Sequence, residues 1–511
     1  MLLKNHIPKS NLHLLRRRET TIGRPHTTMM TSSLSSGSPA AAAPPQRSSI
    51  PGGYGWPVIG PLSDRLQYFW FQGPAKFFER RIEKYGSTVF RTNVPPAFPL
   101  FTGVNPNVVA VLDVRSFGHL FDMELVEKTD VLVGEFMPSL KFTGGLRVCA
   151  YLDTAEAKHA QIKSFALDIL KRSSSKWVPS MITSLDAMWT EIDSKLASSG
   201  PVGTLGYFIP LQQFLFSFLT RCLLDADPTS VPEIQKSGHI MLDKWLALQL
   251  LPTISINILQ PLEEIFLHSF TYPFWLVKSD YHKLSGFVRS EARETVSRAQ
   301  TEFGLTEDEA VHNLLFILGF NAFGGFSIFL PTLLSNLGAQ KNAHDELRKE
   351  VREKLSSGKK TLGFETVKEM DLINSFVYET LRLSPPVPSQ FARARKDFDL
   401  SSHDKVYGIK KGELLCGYQP VVMKDPRVFE NPETFVFDRF SKRNGGDELL
   451  KYLFWSNGPQ SGSGGPSVSN KQCAAAEAVP MTAAVFLAYL FQRYDDITIS
   501  SGSITSLEKA K

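Results

Sequence analysis

Apolar residues are densest at LLFILGFNAFGGFSIFLPTLL, residues 314–334, which run without a charge. Around this stretch the spacing is helical. Apolar positions recur every three or four residues at about 155–175, 178–198, 209–224, 232–250, 281–303, 307–335, 340–356 and 364–384, as in helices with a buried face. Short runs at 87–92, 108–113 and 414–417 read as strands. Turn-rich apolar clusters fill 51–115. A stretch rich in Gly, Pro, Asn and Ser spans 429–470, and a last helix is expected at about 473–493. No internal repeat is evident. The pattern predicts a mainly α fold with a minor β-sheet region.

The 314–334 stretch is unusual for a core helix, because it holds Asn321 and the pair Gly324–Gly325. Each Gly costs a helix roughly 1 kcal/mol against Ala, and an unsatisfied buried Asn costs about 1–3 kcal/mol. On length, 313–330 qualifies as a membrane span. However, no Lys, Arg, Trp or Tyr anchors its ends, Pro331 breaks the run, and Glu302, Glu307, Asp308 and Glu309 crowd its N-terminal side. A central helix buried on all sides fits better. A second apolar stretch, LALQLLPTISINILQPL (246–262), is interrupted by prolines and suits either a membrane surface or a pocket wall.

Charge adds a division. Residues 1–50 carry seven Lys or Arg against one acid, Glu19, so this segment holds +6 of a net +5 and leaves the body at −1. The body is not basic, and no nucleic-acid partner is indicated. The Arg-, Ser- and Pro-rich, acid-poor composition of 1–50 is that of a plastid or mitochondrial transit peptide, with SSGSPAAAAPP leaning to plastid. Residues 51–511 are read as one folded domain. The four cysteines lie far apart with no CxxC pair, against a zinc site and in keeping with a reducing compartment. The 37 Phe suit a large apolar interior or a lipid-like ligand.

Three patterns bear on chemistry. YETLR (378–382) puts Glu379 and Arg382 at i, i+3 on one helix face. INSFV before them makes that helix largely buried, and a buried pair needs further partners to offset desolvation. PETFVFDRF (432–440) offers Arg439 as a third member. SNKQCAAAEAVPMTAAVFLAYLF (469–491) places Cys473 before a helix, with Lys471 two residues earlier. Helix dipole and cation both favour a thiolate there, a soft iron ligand. Read singly, the Cys is more simply an inert buried residue.

Their order is more specific. ExxR, about sixty residues to FDRF, and about thirty more to a Cys opening a helix resembles the haem-thiolate superfamily, the cytochromes P450, over roughly 51–500. The resemblance implies the cytochrome P450 fold, haem b (iron-protoporphyrin IX) with Cys473 as axial ligand, and Glu379, Arg382 and Arg439 as a buried structural triad. Departures narrow it. The usual FxxGxRxCxG loop is replaced by the longer WSNGPQSGSGGPSVSNKQCAA, with Lys471 in the Arg position and Ala475 where Gly is expected. The acid–Thr pair that relays protons to dioxygen in this family is missing from 313–330, and Thr332 lies beyond Pro331. A thiolate-ligated haem still cleaves an O–O bond that the substrate brings. On that reading Asn321 meets a polar group of the ligand, and Gly324 and Gly325 let the backbone approach haem or substrate. The other reading has Asn321 bonded back into its helix and the glycines serving helix packing.

The Cys loop and GFNAFGGF (319–326) resemble the plant fatty-acid hydroperoxide-metabolising branch, which needs no O₂, NADPH or reductase. GYGWPVIGPLSDR (53–65), YFWFQGPAKFF (68–78), FARARKDF (391–398) and GELLCGYQP (412–420) are most similar to its 13-type hydroperoxide lyases. The resemblance implies that Lys128, His159, Lys163, Lys471 and Cys473 hold the haem. His159 and Lys163, at i, i+4, can both donate to propionates; at Lys128 spacing does not separate this from a surface charge. Leu132 stands where allene oxide synthases carry Phe. An aromatic there favours oxidation of a radical intermediate to a cation, whereas Leu leaves it to recombine to a hemiacetal; simple core packing is the other reading of Leu132. Phe323, Gly324, Gly325, Phe326 and Leu132 are expected to line an acyl-chain pocket.

The implied reaction converts 13-hydroperoxides of linoleic or linolenic acid, by homolysis and a hemiacetal, into a six-carbon aldehyde and a twelve-carbon oxo-acid. That is oxylipin chemistry yielding green-leaf volatiles, at a plastid membrane surface and without a reductase. The rivals are an allene oxide synthase, an ordinary monooxygenase, and a non-catalytic haem- or lipid-binding protein. AAAEAVPMT after the ligand lacks the Lys-Asp pair common in the branch, and Pro480, two turns into the expected helix, predicts a kink.

Overall fold

The apolar segment forms the axis of the molecule. The computed structural model describes residues 47–95, 103–198, 203–254, 262–268, 270–356, 360–462, 464–500 and 502–510. The central helix, Glu307–Ala339, starts at Thr306, whose Oγ1 accepts the Glu309 N–H (3.2 Å) while the Glu309 carboxylate accepts the Thr306 N–H (2.8 Å). This reciprocal cap and the acids of the first turn, which favour the positive end of the helix dipole, fix the helix start. It runs 33 residues, and 67% of its most apolar window is buried within the protein, which makes it a core helix. Pro331, which interrupts the apolar run, does not end the helix, in keeping with the helical pattern expected over 307–335. A helix-interior Pro costs about 3 kcal/mol. Phe326, Phe329, Leu330, Leu333, Leu334 and Leu337, all buried around it, each contribute about 1.5–3 kcal/mol, so burial outweighs the lost hydrogen bond.

The other helices pack about this axis: Ala157–Ser198, Phe208–Leu219, Pro232–Leu250, Lys278–Glu291, Arg293–Phe303, His344–Ser356, Asp371–Leu383 and Ala478–Arg493. Ala157–Ser198 is continuous through Pro179 where two helices were expected. The last helix begins at Ala478, five residues after Cys473. Pro480 therefore sits in its first turn, where its missing N–H is an unpaired group in any case, and the expected kink has no basis.

Three small sheets flank the helices. The largest orders Val89–Asn93, Asn107–Val111, Leu414–Tyr418, Ser389–Ala394 and Val126–Glu127, with only the second and third strands parallel. Under it lies a second core of Tyr68, Phe69, Phe77, Phe78 and Phe90, so part of the Phe abundance is plain packing. Helices Ile59–Leu66 and Pro74–Tyr85 occupy ground read as turn-rich, and the hairpin Tyr494–Ser500/Ser503–Lys509 was not anticipated. The expected leader lies outside the described residues up to 46. Arg47–Ser48 pairs parallel with Val406–Tyr407, so ordered backbone begins before residue 51.

Candidate active site

The buried triad assembles as follows. Arg382 grips the Glu379 carboxylate with two bonds, Nε to Oε2 at 2.7 Å and Nη2 to Oε1 at 2.8 Å. Arg439 Nε reaches both carboxylate oxygens at 3.1 Å, and the Val436 N–H donates to Oε1 at 2.9 Å. The remaining guanidinium donors go to carbonyls: Arg382 to Met423 (2.9 Å) and Pro432 (2.8 Å), Arg439 to Glu430 (2.6 Å). Glu379 and Arg382 are wholly buried. Such a pair is tolerated only when every donor is used. Here the helix carrying ExxR is thereby tied to the irregular 423–439 segment that leads into the Cys loop.

In that loop, the Cys473 N–H donates to the Ser456 carbonyl (2.8 Å) and the Ala476 N–H to the Cys473 carbonyl (3.0 Å). Burial raises the thiol pKa; the Ala475 N–H and the nearby Lys163 ammonium act the other way. Cys473 is enclosed by protein yet keeps accessible surface, which places it on the wall of an interior space. The turn at 474–477 replaces the expected helix start. The thiolate is therefore supported by one N–H and one cation, and the helix dipole stands further off.

Around the loop converge the four basic side chains singled out from sequence. Lys128 Nζ donates to Asn457 Oδ1 (2.5 Å). Lys471 Nζ donates to the carbonyls of Leu152 (2.7 Å), Cys149 (2.9 Å) and Ala150 (3.3 Å). Lys163 Nζ donates to the Gln472 carbonyl, reaching the cysteine loop itself. His159 is buried with Nδ1 unpartnered. Among the described residues none of the four forms an ion pair. Asp153 and Glu156, whose charges reach Lys471, are held by Arg395 and by Arg147 (2.7 and 3.0 Å). Burial, reinforced by Lys471, pulls Lys128 down to about 7. Burial takes Lys471 to about 8 and His159 to about 4, and it lowers Lys163. Buried basic groups with no counter-charge among the described residues, set beside a cysteine, fit an anionic ligand that binds iron. The propionates of a haem would fit that need, and Lys128, His159, Lys163 and Lys471 are the residues that would hold them.

The central helix supplies the facing wall. Between Ile317 and Phe323 it widens into a π-helix, a form concentrated at functional sites. Ile317, Phe320, Asn321, Ala322, Gly325 and Ile328 keep accessible surface, whereas Leu318, Gly319, Phe323, Gly324 and Phe326 do not. The helix is therefore not buried all round; it has one open face. Asn321 is exposed on that face, and among the described residues its amide has no hydrogen-bond partner, so it does not bond back into its helix. The pocket expectation divides. Gly325 faces open space, but a Cβ on Gly324 would lie 2.7 Å from Leu246 Cδ2. Phe323 and Phe326 are buried in the core, and side chains lining a space would show surface. Phe320 and Ile317, on the open face, keep surface instead. Leu132 lies partly buried against the core in the segment following Lys128.

Sequence reasoning missed Asn457 and Gln472. Asn457, with φ +62°, donates Nδ2 to the Lys471 carbonyl (2.8 Å) while Oδ1 receives Lys128, and so clasps two of the basic residues. Gln472 Nε2 donates to the Pro459 carbonyl (3.0 Å) and packs under Gly458. The available signal was Asn-Gly at 457–458, an αL-prone pair inside the lengthened loop.

Residues 287–462 match the family model described as Cytochrome P450. The crystal structure of the cytochrome P450DA haem domain superposes with a TM-score of 0.63 over 90% of this chain and 96% of that one, at 15% identity, a likeness of fold alone. The chloroplastic fatty acid hydroperoxide lyase of Solanum lycopersicum is 65% identical over 92% of this chain and 98% of that protein. The chloroplastic linolenate hydroperoxide lyase of Arabidopsis thaliana is 53% identical over 98% and 100%. The allene oxide synthase of Linum usitatissimum stands further off, at 41%. At such identities over nearly whole lengths, the chain belongs to the cytochrome P450 family and, within it, to the fatty acid hydroperoxide lyases.

Proposed function

We propose that this enzyme cleaves the 13-hydroperoxides of linoleic and linolenic acid into a six-carbon aldehyde and a twelve-carbon oxo-acid, without O₂, NADPH or a reductase. The observation that carries the reading is Asn321, an exposed amide on the open face of the central helix, in a segment, Ile317–Phe323, whose sequence holds no acid or hydroxyl. Haem, held at Cys473, would supply the iron chemistry for cleaving the substrate's O–O bond. The chain's own residues govern the rest. The unpartnered Asn321 amide offers a donor and an acceptor, enough to orient a hydroperoxide group without protonating it. Heterolysis needs a proton on the departing oxygen, so an amide in place of an acid favours homolysis. Ile317, Phe320 and Ile328 exclude water and receive the acyl chain, and Gly325 leaves room above the helix. Leu132 offers no aromatic face to a radical, which supports fragmentation over the allene oxide outcome.

The basic leader supports a plastid address. A peripheral seat on a membrane is supported by an apolar surface. Trp56 (79% exposed), Ile59, Trp70 and Phe71 lie on one side, and Phe266, Phe270 and Trp275 (70%) on the other. The two segments are joined where Phe69 stacks on His268 at 3.9 Å. The decisive experiment incubates the haem-loaded enzyme with 13- and 9-hydroperoxides, no reductant present, and identifies the products. Hexanal or hexenal from the 13-isomer is expected. Ketols would move the reading to allene oxide synthase, and turnover only with NADPH and air would overturn it.

A further inference from the structure

We propose that Trp245, Tyr281 and His312 form an electron-donating relay that quenches an oxidising equivalent stranded at the active site after peroxide cleavage. The proposal rests on the lyase reading. Gly319 lies in the π segment two residues before Asn321, and a Cβ there would come within 2.8 Å of Trp245 Cζ3. Glycine at this point is what lets the indole touch the backbone of the active-site wall. Trp245 also meets Phe316 edge-on at 6.2 Å, and Phe316 stacks at 4.6 Å on Phe320 of the open face. On its other side Trp245 lies near-parallel to Tyr281 at 6.1 Å, and Tyr281 stacks on His312 at 5.7 Å. The Tyr281 hydroxyl is 2.7 Å from His312 Nδ1. Every step is a ring-to-ring contact, and the path ends on the half-buried His312 near Asp308 and Arg289.

Core packing explains contacts among rings but not the choice of rings or of the last partner. Tyr and Trp are the most readily oxidised aromatic side chains, and this core otherwise uses mostly Phe. An oxidised phenol is a strong acid, so its electron leaves only if a base takes the proton. Tyr207, another buried tyrosine, donates to the Pro331 carbonyl, which cannot accept a proton. Tyr281 faces an imidazole that burial keeps neutral, while burial also holds the phenol protonated. The resting pair is therefore poised for transfer. Gly144, at φ +68°, lies against the His312 ring, which a Cβ there would displace.

The balance is as follows. The oxidant is the fatty-acid hydroperoxide. If its alkoxyl fragment escapes and takes hydrogen elsewhere, the site keeps the second peroxide oxygen as a hydroxyl together with one oxidising equivalent. One electron from Tyr281 through Trp245, and one proton from solvent, turn that hydroxyl into water and restore the resting site. Tyr281 becomes a neutral tyrosyl radical with its proton on His312 Nδ1. A thiol reductant returns a hydrogen atom, and the imidazole releases its proton to solvent.

To test this, haem-loaded enzyme is mixed with 13-hydroperoxide, freeze-quenched and examined by electron paramagnetic resonance, with aldehyde measured in the same samples. A tyrosyl signal is expected in the wild type and is lost in Tyr281→Phe. Tyr281→Phe and Trp245→Phe keep the initial rate and Soret band but inactivate after several-fold fewer turnovers. Glutathione prolongs the working life of the wild type and not of the variants. Aldehyde release with no protein radical, or an unchanged number of turnovers in Tyr281→Phe, overturns the relay. No aldehyde at all defeats the lyase reading, and the relay falls with it. Tyr281→Phe removes one oxygen atom, so it carries the test if Trp245→Phe misfolds.

Discussion

Glu379 shows how a single residue sets the terms for the site behind it. Among the described residues its carboxylate is the only counter-charge of Arg382 and Arg439, so Glu379→Ala leaves two buried guanidinium groups uncompensated. Breaking a buried pair costs about 3–5 kcal/mol, and the expected outcome is a lowered denaturation midpoint with loss of the Soret band. Asn321→Ala behaves differently, because the amide has no protein partner: haem and midpoint are kept while aldehyde release collapses. Lys128 gives a pH signature. Burial lowers it from 10.5 to about 7 in the haem-free protein. Between those values the unfolded chain binds the proton and the folded chain does not, so stability rises with pH across that window. Thermal unfolding of haem-free protein should give a higher midpoint at pH 9 than at pH 7, and Lys128→Met should flatten that slope. Asn457→Ala removes the clasp between Lys128 and the Lys471 backbone; faster haem loss, followed by the Soret band, is expected.

At the scale of elements the π segment decides the site, and it is also where the sequence was least legible. A 3.6-residue pattern announces a helix at 307–335, but the shift to π hydrogen bonding at Ile317–Phe323 depends on which neighbours press on which side. Gly319 and Gly324 yield to Trp245 and Leu246 of the Pro232–Leu250 helix, and nothing in the local sequence distinguishes them from Gly325, which faces open space. Two substitutions separate these roles. Gly319→Ala overpacks against Trp245 and should cost about 1–3 kcal/mol, read as a lower midpoint. Gly325→Ala meets no neighbour, so the midpoint should hold while turnover falls because the pocket narrows. The triad was legible because a buried ion pair requires partners, and ExxR with FDRF supplied them. Helix Pro74–Tyr85 was legible but missed: Pro at its first position and Gly86 at φ +56° are standard start and stop signals. The hairpin ending in Ser503–Lys509 hides its alternation behind register shifts in the first strand. Pro480 was misread because the helix starts later than expected, which puts it in the first turn.

Across the whole molecule, exposed apolar side chains gather in two segments, Trp56, Ile59, Trp70 and Phe71 in one and Phe266, Phe270 and Trp275 in the other, joined by the Phe69–His268 contact. Three of the seven tryptophans, Trp56, Trp70 and Trp275, are exposed there, and Trp favours the membrane–water interface. No comparable reason exists for a water-facing surface to carry them, since exposed aromatic side chains cost solubility. A membrane seat also suits the reaction, because hydroperoxides of C18 acids partition into lipid. Fully burying a Phe side chain contributes about 1.5–3 kcal/mol. Even half of that at each of Phe71 and Phe266 amounts to at least about a tenfold change in partition. Phe71→Ser/Phe266→Ser should therefore remain in the supernatant when haem-loaded protein is sedimented with neutral lipid vesicles, whereas the wild type pellets. With substrate dispersed in detergent the double variant should turn over at the wild-type rate, and with substrate delivered in vesicles it should lag. Wild-type protein that stays in the supernatant at every lipid concentration, or a variant that pellets equally well, removes the membrane from this account and leaves the apolar surface to some other partner.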